Sequence, residues 1–123
     1  MPIKTKIDNI IKSLGSISIQ DFVELSNFDE EGFYNLEEIS KISKEGHFIT
    51  SPEITPLFGY SLCNQFIKVF KNPNKVHLLE LGPGNGSLTK DIYEYLTNLG
   101  IRVSQISVLE RSNYFKDRIT KKF

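Results

Sequence analysis

Residues Glu80-Leu81-Gly82-Pro83-Gly84-Asn85-Gly86 decide the fold. They follow Val76 to Leu81, an apolar run that reads as a buried strand. Glycine at alternate positions lets the backbone turn sharply and lets a ligand press against the main chain. Beyond the loop, Leu88, Ile92, Leu96 and Leu99 recur at helical spacing, and Gly100 is placed to stop that helix. Amide groups at the helix start face the same crevice as the loop. Gln105 to Leu109 then reads as a second strand ending at Glu110. Strand, glycine loop, helix and strand make one βαβ unit, which implies parallel strands and a right-handed crossover.

The spacing of the loop narrows what it can hold. A G-x-G-x-x-G dinucleotide fingerprint needs glycine at 87, where this chain has Ser87. A phosphate-cradling Walker loop needs Gly-Lys-Ser or Gly-Lys-Thr, and neither triplet occurs. The E-x-G-x-G-x-G pattern that remains closely resembles motif I of class I S-adenosylmethionine-dependent methyltransferases. Glu110, at the tip of the second strand and 24 residues beyond Gly86, is placed to accept hydrogen bonds from ribose hydroxyls. Under the same resemblance Glu80 lies beneath the methionine end of the cofactor, where a carboxylate meets an ammonium directly or through water. Gly82, Gly84 and Gly86 shape the cofactor loop. The alternative is a glycine-rich turn beside an ordinary surface glutamate.

Working towards the N-terminus, Asn72-Pro73-Asn74 marks the change from helices to the βαβ unit. Phe58, Leu62, Phe66, Val69 and Phe70 share one face of a helix that ends there. Ser51-Pro52 and Thr55-Pro56 each match an N-cap followed by proline in the first turn. The fifteen residues after Gly32-Phe33-Tyr34 show neither helical nor strand periodicity. Ser18 with Asp21 resembles a capping box opening a short helix, with Phe22 and Leu25 turned inward. Ile3, Ile7, Ile10, Ile11 and Leu14 predict a first helix stopped by Gly15. Towards the C-terminus, Ser112 is a candidate cap for a last helix carrying Phe115 and Ile119.

A second resemblance is more specific. Gly46-His47-Phe48-Ile49-Thr50-Ser51-Pro52-Glu53-Ile54, followed by Leu57-Phe58-Gly59, resembles the G-D-F-x-T-S-P-E-I…L-F-G signature of the MidA methyltransferase family. Ile19 to Leu25 and Gly32-Phe33-Tyr34 resemble that family's opening segment, and Glu80 to Gly86 its E-L-G-P-G-R-G loop. Mitochondrial members of the family act as complex I assembly factors and methylate a protein arginine. The resemblance implies that Thr50, Ser51 and Glu53 cap the cofactor crevice while starting a helix. It also implies S-adenosyl-L-methionine as cofactor and a protein as substrate. Three positions depart from the pattern: His47 stands for Asp, Asn85 for Arg, and Tyr60 for the acid that often follows F-G. His47 cannot supply a fixed negative charge.

The resemblance runs from about Ile17 to Ser112 and covers only the N-terminal part of the family's domain. The expected fold is α/β: N-terminal helices followed by a truncated Rossmann-like βαβ unit of class I methyltransferase type. It forms a single incomplete domain over residues 1–123, helical over 1–74 with the T-S-P-E-I loop, and Rossmann-like over 75–123. The expected function is that of a truncated methyltransferase, inactive alone. A non-catalytic fragment docking on a complementary polypeptide, or the remnant of a degraded gene, is the alternative. No residue can be given the catalytic role of positioning the methyl acceptor.

Composition removes other classes. With 39% apolar residues, 123 residues suffice for one core and not for two. Fifteen basic and fifteen acidic residues cancel, which argues against a nucleic-acid or anionic-membrane partner. Fifteen Ile, twelve Lys and nine Asn beside no Ala point to an AT-rich genome, so Lys density is not read as function. No apolar stretch approaches the roughly 20 residues needed to span a bilayer. One cysteine excludes an internal disulfide, and Cys63 with only His47 and His77 makes no zinc set. Core packing is the reading for Cys63 and a flanking position for His77. Lys116, Arg118, Lys121 and Lys122 read as a solvated basic face, and Phe33-Tyr34, Tyr93 and Tyr95 as aromatic packing rather than an adenine stack. A reducing, cytoplasmic setting is expected. So is self-association, because Leu79, Leu81 and Val108 would be poorly covered in so small a parallel sheet.

Overall fold

The computed structural model describes residues 1–36 and 48–122. Gly46 and His47, at the head of the T-S-P-E-I motif, lie outside the described residues.

Helix α1 spans Ile3–Leu14 and ends at Gly15, whose φ of 77° closes the helix in the left-handed conformation. The Ser18 hydroxyl accepts the Asp21 amide hydrogen at 3.0 Å and starts α2, Ile19–Val23. That helix runs straight into a π-helical turn, Glu24–Phe28. The inward face expected there is only half formed: Leu25 is half-buried, whereas Phe22 is exposed. Gly32 sits where a Cβ would come within 2.7–2.8 Å of the backbone of Asn27 and Asp29, so no larger residue fits this turn.

Pro52 occupies the first turn of α3, Ser51–Ile54, as the sequence suggested, but the cap position belongs to Thr50 rather than Ser51. Helix α4 spans Leu57–Val69. Its buried face is Gly59, Cys63 and Ile67, and not the larger set of aromatic and aliphatic residues that shares the other side. Phe58, Phe66, Val69 and Phe70 are all exposed. The reason lies at Gly59. A Cβ there would stand 3.0 Å from Asp91 Cβ, so α4 approaches α5, Ser87–Asn98, along its small residues. Cys63, Ile92 and Leu96 form the centre of this contact, with Leu78 and Val103 beneath.

Strands β1, Lys75–Leu81, and β2, Arg102–Leu109, pair in parallel from Lys75↔Arg102 to Leu81↔Leu109. β2 starts three residues before its sequence-read boundary. The register slips between Val76 and His77, leaving Ser104 as the extra residue, and its hydroxyl donates to the Val76 carbonyl at 3.0 Å. That irregularity breaks the alternation a pattern reading depends on. Ser112 caps α6, Asn113–Thr120, accepting the Phe115 amide hydrogen at 3.2 Å, and Phe115 and Ile119 are buried. The architecture is therefore N-terminal helices on a parallel βαβ unit, and among the described residues the sheet has two strands.

Candidate functional site

The glycine loop leaves the sheet abruptly. The Gly82 amide still donates to Leu109 O at 2.8 Å, extending the ladder by one residue, and the Gly86 amide then closes a turn onto Pro83 O at 2.9 Å. Gly82, Gly84 and Gly86 have φ of 67°, 55° and 72°, a region that strongly favours glycine. A Cβ on Gly82 would meet nothing within 4 Å, so its side of the loop is open space.

Glu110 stands opposite. Its Oε2 accepts from the Gly84 amide at 3.2 Å, and its Oε1 from the amides of Arg111 at 2.7 Å and Ser112 at 2.8 Å. One carboxylate thus holds the loop to the end of β2. Three of its roughly four acceptor positions are taken by backbone, which leaves one on Oε2 for a ligand hydroxyl. Between loop and carboxylate lies a crevice of about 230 Å³. It is lined by Gly82, Gly84 and Glu110, with a wall of Phe28, Tyr34, Phe48 and Phe115. Pockets for drug-sized ligands usually measure ~300–1,000 Å³, so a larger ligand extends beyond it.

Of the eight site residues read from the sequence, Gly82, Gly84 and Glu110 converge here, and Gly86 closes the loop behind them as the residue before α5. Glu80 does not. Its carboxylate accepts a hydrogen bond from the Thr89 hydroxyl on α5, and it lines an apolar groove with Leu62, Phe66 and Leu78. Thr50 and Ser51 are exposed and are not among the crevice-lining residues; Phe48, just before them, is. Glu53 lines a separate polar depression with Ser87, Lys90, Asp91 and Lys122 at the start of α5. Burial pushes the Asp91 carboxyl there above its ordinary range, and the neighbouring Glu94 adds to the effect.

Two features of the site were missed. Lys122, read as part of a solvated face, donates to the Asn85 carbonyl at 2.9 Å and the Ser87 hydroxyl at 3.2 Å, steadying the loop from outside. Phe28 and Phe115 lie far from the loop in sequence, and nothing in their local spacing marks them as crevice residues. Tyr34, read from the sequence as aromatic packing, has its ring 5.6 Å from Phe28 and 6.2 Å from Phe115. The two departures within the described residues are accommodated. Tyr60 stacks on Tyr95 with centroids 4.6 Å apart, and Asn85 keeps the loop turn intact. Cys63 is fully buried, its thiol pushed up by that burial, in keeping with a packing role. Among the described residues there is no metal-ligand cluster and no helix long and apolar enough to cross a membrane.

A parallel βαβ unit with a glycine loop after its first strand and an acid at the tip of its second defines a Rossmann-like unit. Known proteins narrow the class. The chain is 37% identical over 94 residues to the human protein arginine methyltransferase NDUFAF7, mitochondrial, and 34% identical over 95 residues to its Xenopus laevis counterpart. Each match covers 73% of this chain and 21% of the relative. In fold, it superimposes with a TM-score of 0.79 on a COG1565 superfamily member from Burkholderia thailandensis, crystallised with S-adenosyl-homocysteine. That match has 20% identity and covers 97% of this chain and 32% of the other. No family profile matches the chain. The chain thus spans about a fifth of the length of the curated relatives it matches. Motif resemblance and sequence matches agree: over these residues the chain matches the N-terminal part of the MidA-type methyltransferase family.

Proposed function

We propose that this chain is the cofactor-binding portion of an S-adenosyl-L-methionine-dependent, protein arginine methyltransferase-like enzyme, with the crevice taking the cofactor's nucleoside. The observation that carries the reading is the Glu110 carboxylate. It holds the glycine loop through the Gly84 amide and keeps one acceptor position for a ribose hydroxyl. The open space in front of Gly82 fits a ligand lying against the main chain. The relatives support the choice of cofactor and reaction: they are named as protein arginine methyltransferases, and the solved fold neighbour holds S-adenosyl-homocysteine.

Bound there, the cofactor supplies an electrophilic methyl group on a sulfonium. Transfer from a sulfonium depends mainly on in-line placement of the acceptor. Among the described residues the crevice offers groups suited to the cofactor's nucleoside, and none is given the role of placing the acceptor. Glu80 accepts from the Thr89 hydroxyl through Oε2, which supports the strand-to-helix packing under the loop and leaves acceptor positions on the carboxylate for the methionine ammonium. The test is calorimetric titration with S-adenosyl-L-methionine. One-to-one binding is expected, and no heat at millimolar cofactor would overturn the assignment.

A further inference from the structure

The three residues after Glu110 fasten the N-terminal segment over the crevice. The Arg111 guanidinium pairs with Glu24 and lies 4.0 Å over the Phe28 ring. The Ser112 hydroxyl donates to the Tyr34 carbonyl, and the Asn113 amide donates to Asn35 Oδ1 at 3.0 Å. The backbone amides of Arg111 and Ser112 are also the groups that hold Glu110 Oε1. The same two residues therefore set both the carboxylate and the aromatic wall. Phe28 and Tyr34 are half-buried, close together, and line the crevice across from Gly82 and Gly84. Aromatic side chains beside a ribose-binding carboxylate suit a planar base, because every base offers a π face to stack on.

We infer that Phe28 and Tyr34 form the stacking face for the base of the bound nucleoside, and that Arg111 is the positioning residue that holds this face in place. This rests on the reading that the crevice takes a nucleoside. Arg111 is not among the residues lining the crevice and acts through Phe28 and Glu24. Lysine would keep the charge but lose the planar group that lies over the ring.

Two measurements test the inference. The first is binding of adenosine and of S-adenosyl-homocysteine to the wild type, Phe28→Leu, Tyr34→Leu, Tyr34→Phe and Arg111→Gln, with helical content checked by circular dichroism. Phe28→Leu and Tyr34→Leu should each weaken both ligands about tenfold, whereas Tyr34→Phe, which keeps the ring, should recover most of the affinity lost in Tyr34→Leu. The second is hydrogen exchange over residues 24–35 without ligand. Arg111→Gln should speed exchange there and weaken binding, and Arg111→Lys should recover only part of both. Wild-type affinity in folded Phe28→Leu and Tyr34→Leu would overturn the stacking face while leaving the cofactor assignment standing. Unchanged exchange in Arg111→Gln would overturn the positioning role. A wild type that binds neither ligand would remove the stacking face together with the assignment beneath it.

Discussion

At Gly84 two demands meet in one residue. Its φ of 55° strongly favours glycine, and its amide donates to Glu110. A β-branched residue would strain the loop whether or not a ligand presses on it. Asparagine tolerates the left-handed region far better, so it separates the two demands. Gly84 is buried, so Gly84→Asn should lower the melting temperature less than Gly84→Val does and still weaken S-adenosyl-homocysteine binding by about tenfold or more. Gly84→Val should lose binding and also destabilise the chain. Equal binding by wild type and Gly84→Asn would mean that the glycine serves the turn alone. The loop and Glu110 were legible because a glycine pattern and an acid at a strand tip are local signals. The aromatic wall was not, since Phe28 and Phe115 reach the crevice only through tertiary packing. The bond between Glu80 and Thr89 is a tertiary contact that the motif alone does not show.

Among the elements, α1 is tied by a polar contact to the segment that follows the π-helical turn. Lys6 Nζ donates to Asp29 Oδ2 at 2.6 Å, linking the first helix to the turn after the π-helical segment, and both side chains are largely covered. This bond holds the Asp29 carboxyl below its ordinary range and the Lys6 ammonium above its own. A depressed carboxylate gives stability that is present above the unfolded pKa, about 3.9, and lost as pH falls through the folded value. The raised ammonium gives stability that is present below about 10.4 and lost as pH rises further. Protection of the α1 amides should therefore hold through the neutral range and fall under acid, and Asp29→Asn should remove that acid step. An acid profile identical in wild type and variant would place the anchor of α1 elsewhere.

Helix α4 shows that a shared apolar face need not be the buried one. Its apolar residues exceed what one neighbour can bury, and the close approach at Gly59 decides which side faces α5. The larger side chains, which dominate a pattern reading, were left outward. The strands were legible in existence and order, and the bulge at Ser104 explains the late start read for β2.

At the scale of the whole molecule, the sheet buries one face and exposes the other. Val76 and Leu78 turn towards the core, whereas Leu79 and Leu81 are each 69% exposed and Leu109, paired with Leu81, is 64% exposed. Val108 is also exposed, at 37%. Parallel strands are normally covered on both faces, and contiguous exposed apolar residues favour association. The isolated chain is expected to self-associate with rising concentration, and Leu79→Lys with Leu81→Lys should shift light scattering towards monomer. A monodisperse monomer in the wild type at high concentration would show that this face is tolerated in water.

The central claim is that Glu110 and the glycine loop form a nucleoside site of methyltransferase type, and paired calorimetry tests it most directly. Wild type and Glu110→Gln would each be titrated with S-adenosyl-homocysteine, with a nicotinamide dinucleotide as the control ligand. The amide oxygen can still accept from Arg111 and Ser112, while the new NH2 can accept neither from the Gly84 amide nor from ribose, so the loop tie and the charge-assisted ribose bond are lost together. Saturable binding in the wild type, weakened about tenfold by Glu110→Gln, with no binding of the dinucleotide, is the expected result. Equal affinity of both proteins for S-adenosyl-homocysteine, or preference for the dinucleotide, would contradict it.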